Sequence, residues 1–316
     1  MSPAREYEAL VETYSKAGGD AKALTSSEVG NLVIHHNKVL RANEVEGLKI
    51  ETREFENGVE VLFIVKEGVR VKHPVHLCFG LLPQEGLQHI LLGVRAEERS
   101  KVNVIAHCLF PNAIRVIHKM NAEINIEPEA EFDYRETHYH GEFGGIEVIP
   151  KAKIRVAEKG LWRSSFALIQ GRVGKLDYDF EAFCEERGVA ELLVRIYGKG
   201  EDEIRIKEAI HLNGREARGL AKSRLVLTDK ARAEVRGETY GNAPFSRGHV
   251  DCMEIIHGDE VIASAIPVVL VKDKTAKVTH EAAIGSLDKK QIQTLMARGL
   301  EESEAIDIIV SGILRG

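Results

Sequence analysis

The feature that most constrains this chain is a long succession of period-two segments, each closed by a turn, running from Gly47 to Gly285. L-K-I-E-T-R-E-F, V-E-V-L-F-I-V and V-R-V-K-H-P-V-H-L read as strands, punctuated by Asn57-Gly58 and Glu67-Gly68. Gln88 to Val94 and Lys101 to Leu109 continue the series. After Pro111, comparable turns recur near residues 127, 158, 186, 213, 228, 257 and 272. Some neighbouring turns are about 28 residues apart and others about half that, the signature of a coiled β solenoid. No helical pattern of 10–15 residues intervenes, which excludes a βαβ architecture. A sandwich is the other all-β arrangement that periodicity allows.

Helical patterns flank the strands. Tyr7, Leu10, Val11 and Tyr14 fall at helical spacing before Gly18-Gly19. A second helix is expected from Ser26 or Ser27 to about Leu40, capped by Ser27, with Val29, Leu32, Val33 and His36 on one face. His35-His36 then belongs to a half-buried helix and not to a metal pair, because adjacent residues face different ways. After Gly285, Ser286 is expected to cap a helix from Leu287 to about Ala297, with Ile292, Leu295 and Met296 on one face. Glu301, Glu302 and Glu304 open another, whose stripe is Ala305, Ile306, Ile309, Val310 and Ile313. No linker separates this hairpin from the strands, so it is expected to pack on the solenoid's end. The division is a helical segment over 1–45, a β core over 46–285 and a helical hairpin over 286–316.

Bulk properties exclude several classes. A hydrophobic content of 44% beside 29% charged residues describes a soluble globular chain. A net charge of −6, with Lys and Arg interleaved among acids, argues against a nucleic-acid binder. No apolar run approaches the roughly 20 residues that span a bilayer. Cys78, Cys108, Cys184 and Cys252 lie far apart, and the first residues, M-S-P-A-R-E-Y-E, carry no apolar leader core. Free thiols in a reducing cytoplasm follow.

Motifs of the common chemistries are scarce in the chain. G-R-V-G-K-L-D at 171–177 lacks the spacing that cradles phosphates, and neither G-x-S-x-G nor H-E-x-x-H is present. Asp177 and Asp179 share a strand face, as the carboxylates of a solenoid carbohydrate-active enzyme would, but exposed Asp is ordinary and aromatics are only 6%. Cys78 and Cys108 lie in apolar runs near His73, His76 and His107, where a buried thiol is the ordinary state. Cys184 sits beside carboxylates and reads as core filler. His138 and His140, two apart on a strand, share one face and could chelate. The richest stretch is Gly248 to Ala282, which holds His249, Cys252, His257, His280 and Glu281. Thiolate and imidazole suit iron–sulfur clusters, with carboxylate a labile substitute. The same groups would also serve a zinc- or iron-binding adaptor.

H-V-D-C-M-E, P-V-V-L-V, T-H-E-A-A and the tail L-M-A-R-G-L-E-E-S-E-A-I-D-I-I-V-S-G resemble the core of the SufB/SufD family of iron–sulfur cluster assembly scaffolds, most densely over about residues 100–316. The short chain is similar to the single-scaffold archaeal version. The resemblance implies a right-handed parallel β-helix, and a non-enzymatic scaffold on which a transient cluster, of the 4Fe-4S type, is built and passed to recipient apoproteins. It further implies that Cys252, His280 and Glu281 hold the cluster. His249, His257 and His138 are weaker candidates, His138 standing where SufB carries a sulfur-accepting cysteine. The implied partners are a SufC-like ABC ATPase docked on the C-terminal helices and a second copy of the chain, with the apolar strand Ala263 to Val271 at the junction. Neither nucleic acid nor membrane is expected as a partner.

Overall fold

A computed structural model describes residues 2–315. Chain order begins with α1 (Pro3–Lys16), α2 (Ala21–Thr25), β1 (Asn31–His35), β2 (Lys38–Asn43), β3 (Leu48–Phe55), β4 (Gly58–Val65) and β5 (Val75–Gly80). The longer strands follow: β6 (Glu85–Ala96), β7 (Lys101–Phe110), β8 (Arg115–Ile126), β9 (Glu131–His140), β10 (Ile146–Val156), β11 (Leu161–Gln170) and β12 (Lys175–Cys184). The last are β13 (Val189–Gly198), β14 (Glu203–Leu212), β15 (Arg218–Thr228), β16 (Arg232–Gly241), β17 (Arg247–His257), β18 (Ile262–Val271) and β19 (Lys277–Ser286), before α3 (Lys289–Met296) and α4 (Glu302–Arg315).

Two sheets face one another. From β5 onward odd strands stack in parallel into one sheet and even strands into the other, so each turn of chain adds one strand to both. The result is the expected β-solenoid, of about eight turns. From β4 onward ladder neighbours lie 28 to 31 residues apart, as Arg163–Glu191 and Val59–Ile90 illustrate. Because paired residues point to the same face, apolar residues at alternate positions form columns that fill the lumen. Along β9, Phe132, Tyr134, Glu136, His138 and His140 point inward and are buried.

One corner repeats its conformation in six successive turns. Arg99, Glu129, Lys159, Arg187, Glu216 and Phe245 all have φ between 54° and 60°. Each of the first five donates its N–H to a carbonyl in the next turn, so a left-handed residue is held by an inter-turn hydrogen bond. Gly171, with φ of 81°, is obligatory for a second reason: a Cβ there would lie 2.0 Å from the His140 carbonyl oxygen.

The termini depart from the sequence reading in three places. No helix covers residues 26–40: α2 stops at Thr25, and β1 and β2 form an antiparallel hairpin turning at His36, whose φ is 57°. The physical reason is burial, because Leu32, Val33 and Ile34 are each fully buried, while β1 pairs in parallel with β5. A helix would have exposed one side of that run. The cap of α3 is Asp288, which accepts from the Lys290 N–H, so Ser286 remains in β19. The C-terminal hairpin does not sit on the solenoid's end. It folds back over the outer surface of the odd sheet, where Leu287, Ile292, Ala305, Val310 and Leu314 pack on Tyr197 and Val226. The Tyr197 hydroxyl donates to Asp307 and Arg195 donates to the Leu314 carbonyl. No helix among the described residues is long and apolar enough to cross a membrane.

Candidate functional site

Cys252 lies on β17 and points into the lumen, 1% exposed. Burial pushes its thiol up to about 11. Its ladder neighbours are Ser223 and Ala282, and across the lumen it faces Gly237, where the missing side chain leaves it room. Two buried carboxyls share this end of the lumen. Glu208 is held far above the ordinary carboxylate range by burial, and Glu254, two residues along from Cys252, is raised to about 7 for the same reason. Neither oxygen of Glu254 has a hydrogen-bond partner. Asp251 points the other way and is held below its ordinary range by Arg224.

His280 and Glu281 belong to β19, the terminal strand of the odd sheet, and both are exposed. His280 pairs with Val250, so it stands on the lumen face beside Cys252, where the solenoid opens to solvent. Glu281 pairs with Asp251 and takes the outer face. One chain thus brings Cys252 and His280 to the same mouth and turns Glu281 away from it. His249, on the outer face, meets Thr279 Oγ1 at 2.8 Å. His257 ends β17, half-buried.

His138 is elsewhere, in a second polar cluster deep in the lumen. Cys108 and His138 are direct ladder partners, one turn apart, and His118 reaches them from the opposite sheet. Cys108 Sγ is 3.8 Å from His118 Nε2 and 3.4 Å from Glu136 Oε1, while Glu136 Oε1 is 2.7 Å from His138 Nε2. His138 Nδ1 meets His140 Nε2 at 3.2 Å, and His140 Nδ1 meets the Arg172 carbonyl at 2.9 Å. Burial depresses His118 and His140 to about 3 and raises Cys108 well above its usual range. Burial opposes ionisation of Glu136 too, but the hydrogen bond and charge of His138 hold its carboxyl below the ordinary value. Phe166 and Val194 stand between this cluster and Ser223–Cys252 in the same column of the ladder.

The remaining candidates are structural. Cys184 lies in the solenoid core. Cys78 packs beneath α1 with Leu10 and Tyr14, whose hydroxyl meets His76 Nδ1 at 2.7 Å, and His107 stacks edge-on against the same tyrosine. Asp177 and Asp179 do share the outer face of β12, yet each lies 3.5 Å from a lysine of a neighbouring turn, Lys151 and Lys207. Both carboxylates therefore stand in surface ion pairs.

Sequence reading missed Glu136, His118, Glu208 and Glu254. Alternation along β9 and β17 was a usable signal, since Glu136 and Glu254 stand in phase with residues that must face inward. The turn period was another, because one turn on from Cys108 lands on His138.

Comparison with known proteins finds similarity along most of the chain. A family model described as the SufBD core domain of SUF system FeS cluster assembly matches residues 83–313. An iron–sulfur cluster assembly SufBD family protein of Methanocaldococcus jannaschii is 36% identical over 314 residues, covering 99% of both chains. A namesake from Pyrococcus horikoshii is 34% identical over 310 residues, 98% of this chain and 94% of that one. Another, from Archaeoglobus fulgidus, is 28% identical over 280 residues, 88% of this chain and 73% of its own.

Proposed function

Because the chain belongs to the SufBD family of iron–sulfur cluster assembly proteins, we propose that it acts as a non-enzymatic scaffold in a reducing cytoplasm, holding a nascent cluster at the open mouth of its solenoid. The carrying observation is the placement of Cys252 and His280 on one lumen face in the last turns of the solenoid, where β19 ends the odd sheet. A cluster there is cargo. It needs ligands that bind and let go, and a thiolate with an imidazole and a carboxylate gives such a set. Burial keeps the Cys252 thiol protonated in the empty protein, and cluster iron would displace that proton on binding.

A cluster of four irons needs about four ligands, more than one mouth offers. Two copies meeting mouth to mouth bring two Cys252, two His280 and two Glu281, and let the outward Glu281 of one chain approach the site of its twin. Ile262, Val269, Leu270, Val271 and Ile284 are exposed apolar residues of the last turn and suit such a junction. The energy for opening and release comes from a SufC-like ABC ATPase docked on α3 and α4, and recipient apoproteins accept the product.

Anaerobic reconstitution with iron and sulfide tests the reading. The parent chain is expected to develop the broad visible absorption of a bound cluster. Cys252→Ser should lower cluster content by at least about tenfold, the scale of a lost ligand or its support, and Cys184→Ser should leave it unchanged. Equal cluster content in Cys252→Ser and the parent would overturn the assignment.

A further inference from the structure

We propose that Cys108, His118, Glu136 and His138 form a second, separate site in the middle of the lumen, which binds one divalent transition-metal ion of borderline softness, zinc or ferrous iron. Each side chain is nearly or fully excluded from solvent, with Cys108, His118 and His138 at 0% exposure and Glu136 at 2%. The ligand atoms of Cys108, His118 and His138 lie within 4.8 Å of one another, the single such group among the described residues. A four-coordinate ion with bonds of about 2.0 to 2.3 Å keeps its donors roughly 3.2 to 3.6 Å apart. The observed Cys108–Glu136 and Cys108–His118 separations of 3.4 and 3.8 Å lie close to that span, and the 2.7 Å Glu136–His138 contact would open by roughly half an ångström to admit the ion.

Hydrogen bonding orients the donors. The Arg172 carbonyl can only accept, so His140 donates from Nδ1 and its Nε2 is left to accept. His138 therefore donates from Nδ1 to His140, and its Nε2 is the nitrogen that points at Glu136. A ligating histidine is ordinarily fixed in this way, through its other ring nitrogen. Without an ion the cluster is poorly satisfied. Glu136 Oε2 and His118 Nδ1 have no hydrogen-bond partner, and the 2.7 Å approach of Glu136 to His138 Nε2 needs a positive charge between or upon them. A dication with one thiolate, one carboxylate and two neutral imidazoles sums to zero charge, which an apolar lumen walled by Phe110 and Phe166 tolerates far better than an isolated carboxylate. Binding expels the thiol proton to solvent.

The site is distinct from the mouth. Cys252 and Glu136 are four ladder steps apart in one column, roughly 19 Å at the usual strand spacing. Phe166 and Val194 block the space between.

The test uses the full chain bearing Cys252→Ser, so that success or failure here is independent of the scaffold reading. Purified without chelator, or refolded from urea with zinc, it is expected to hold about one equivalent of zinc or iron by elemental analysis, which also identifies the metal. Refolded with cobalt(II), it should show the intense visible bands of four-coordinate cobalt and a near-ultraviolet thiolate-to-cobalt band. Adding Cys108→Ala should abolish the thiolate band and weaken binding at least about tenfold. If that variant fails to fold, His118→Gln, similar in size and uncharged, should produce the same weakening. A Cys252→Ser chain that holds less than about a tenth of an equivalent after refolding with zinc or cobalt, or a Cys108→Ala chain with unchanged bands, overturns the proposal.

Discussion

At the residue scale the least expected group is Glu254. Its carboxyl lies two residues from Cys252 on the lumen face, both oxygens unpartnered, and burial raises it to about 7. Sequence reading passed over it because a glutamate in a strand is ordinarily exposed. Only the inward phase of β17, fixed by Val250 and Cys252, puts it inside. A carboxyl whose folded value lies above its unfolded value keeps a proton that the unfolded chain gives up. Below the ordinary carboxylate range both states are protonated and the group is silent. As pH rises from about 4.5 towards 7 the folded state loses stability relative to the unfolded one, and above 7 the penalty stays constant. Glu254→Gln should therefore raise the thermal midpoint at pH 8 by several degrees and leave it unchanged near pH 4.5. Unfolding scans across that range check the sign; an equal effect at both ends would place the carboxyl in solvent.

At the element scale, the C-terminal hairpin was legible as two helices, and their stripes were right in part. Ile292, Ala305 and Val310 are buried as the periodicity requires. Its seat was not legible. The apolar outer positions Tyr197 and Val226 on β13 and β15 interrupt an otherwise polar surface, and the hairpin covers them. Removing the hairpin would uncover that patch, so truncation confuses docking with folding. Met296 and Ile308 are 41% and 51% exposed, and a shallow groove passes Gln291, Thr294, Leu295 and Ile309. If this surface receives an ATPase, Ile308→Asp should abolish co-purification with a SufC-like ABC ATPase while changing stability by no more than a surface substitution does, about 0.5 kcal/mol. Retained co-purification would move the docking site elsewhere. The N-terminal misreading has the same origin: Leu32, Val33 and Ile34 suit a helix face or a strand buried on both sides, and the partner β5 decided between them.

At the scale of the whole molecule, the solenoid is closed at one end and open at the other. The first turn is covered by the β1–β2 and β3–β4 hairpins, while α1 lies along the outer face of the odd sheet against Val33, Cys78 and Leu109. The last turn ends on β18 and β19, whose residues are mostly exposed. An uncovered apolar edge invites a second chain. Pro267 limits this, because it withholds a hydrogen-bond donor from the edge strand β18. Association through side chains is then favoured over a continuous ladder. Leu270→Asp puts a charge on the exposed edge and should convert a two-chain particle into a single chain, read by light scattering during gel filtration. An unchanged particle mass would locate the contact elsewhere, and a single-chain parent would remove the two-copy site altogether.

The sequence by itself determined an all-β core, because alternation and turn period are local properties that survive in any context, and its family resemblance chose the solenoid over a sandwich. Strands from Gly47 onward, the first helix and the two terminal helices follow from it, as does the inward direction shared by His138 and His140. It also marked Cys252 and His280 as a pair worth attention. Only the tertiary structure decided which ligand-bearing residues meet. Cys108 was read with its chain neighbour His107 and with Cys78 and its neighbours His73 and His76, whereas it meets His118 and Glu136 and pairs with His138, one full turn away. Likewise Glu281 follows His280 directly yet takes the opposite face. The cause is the geometry of a solenoid. Chain neighbours alternate between lumen and solvent, so the residues that share an environment are those one turn apart, and that register is set by packing across some thirty residues and not by any short motif.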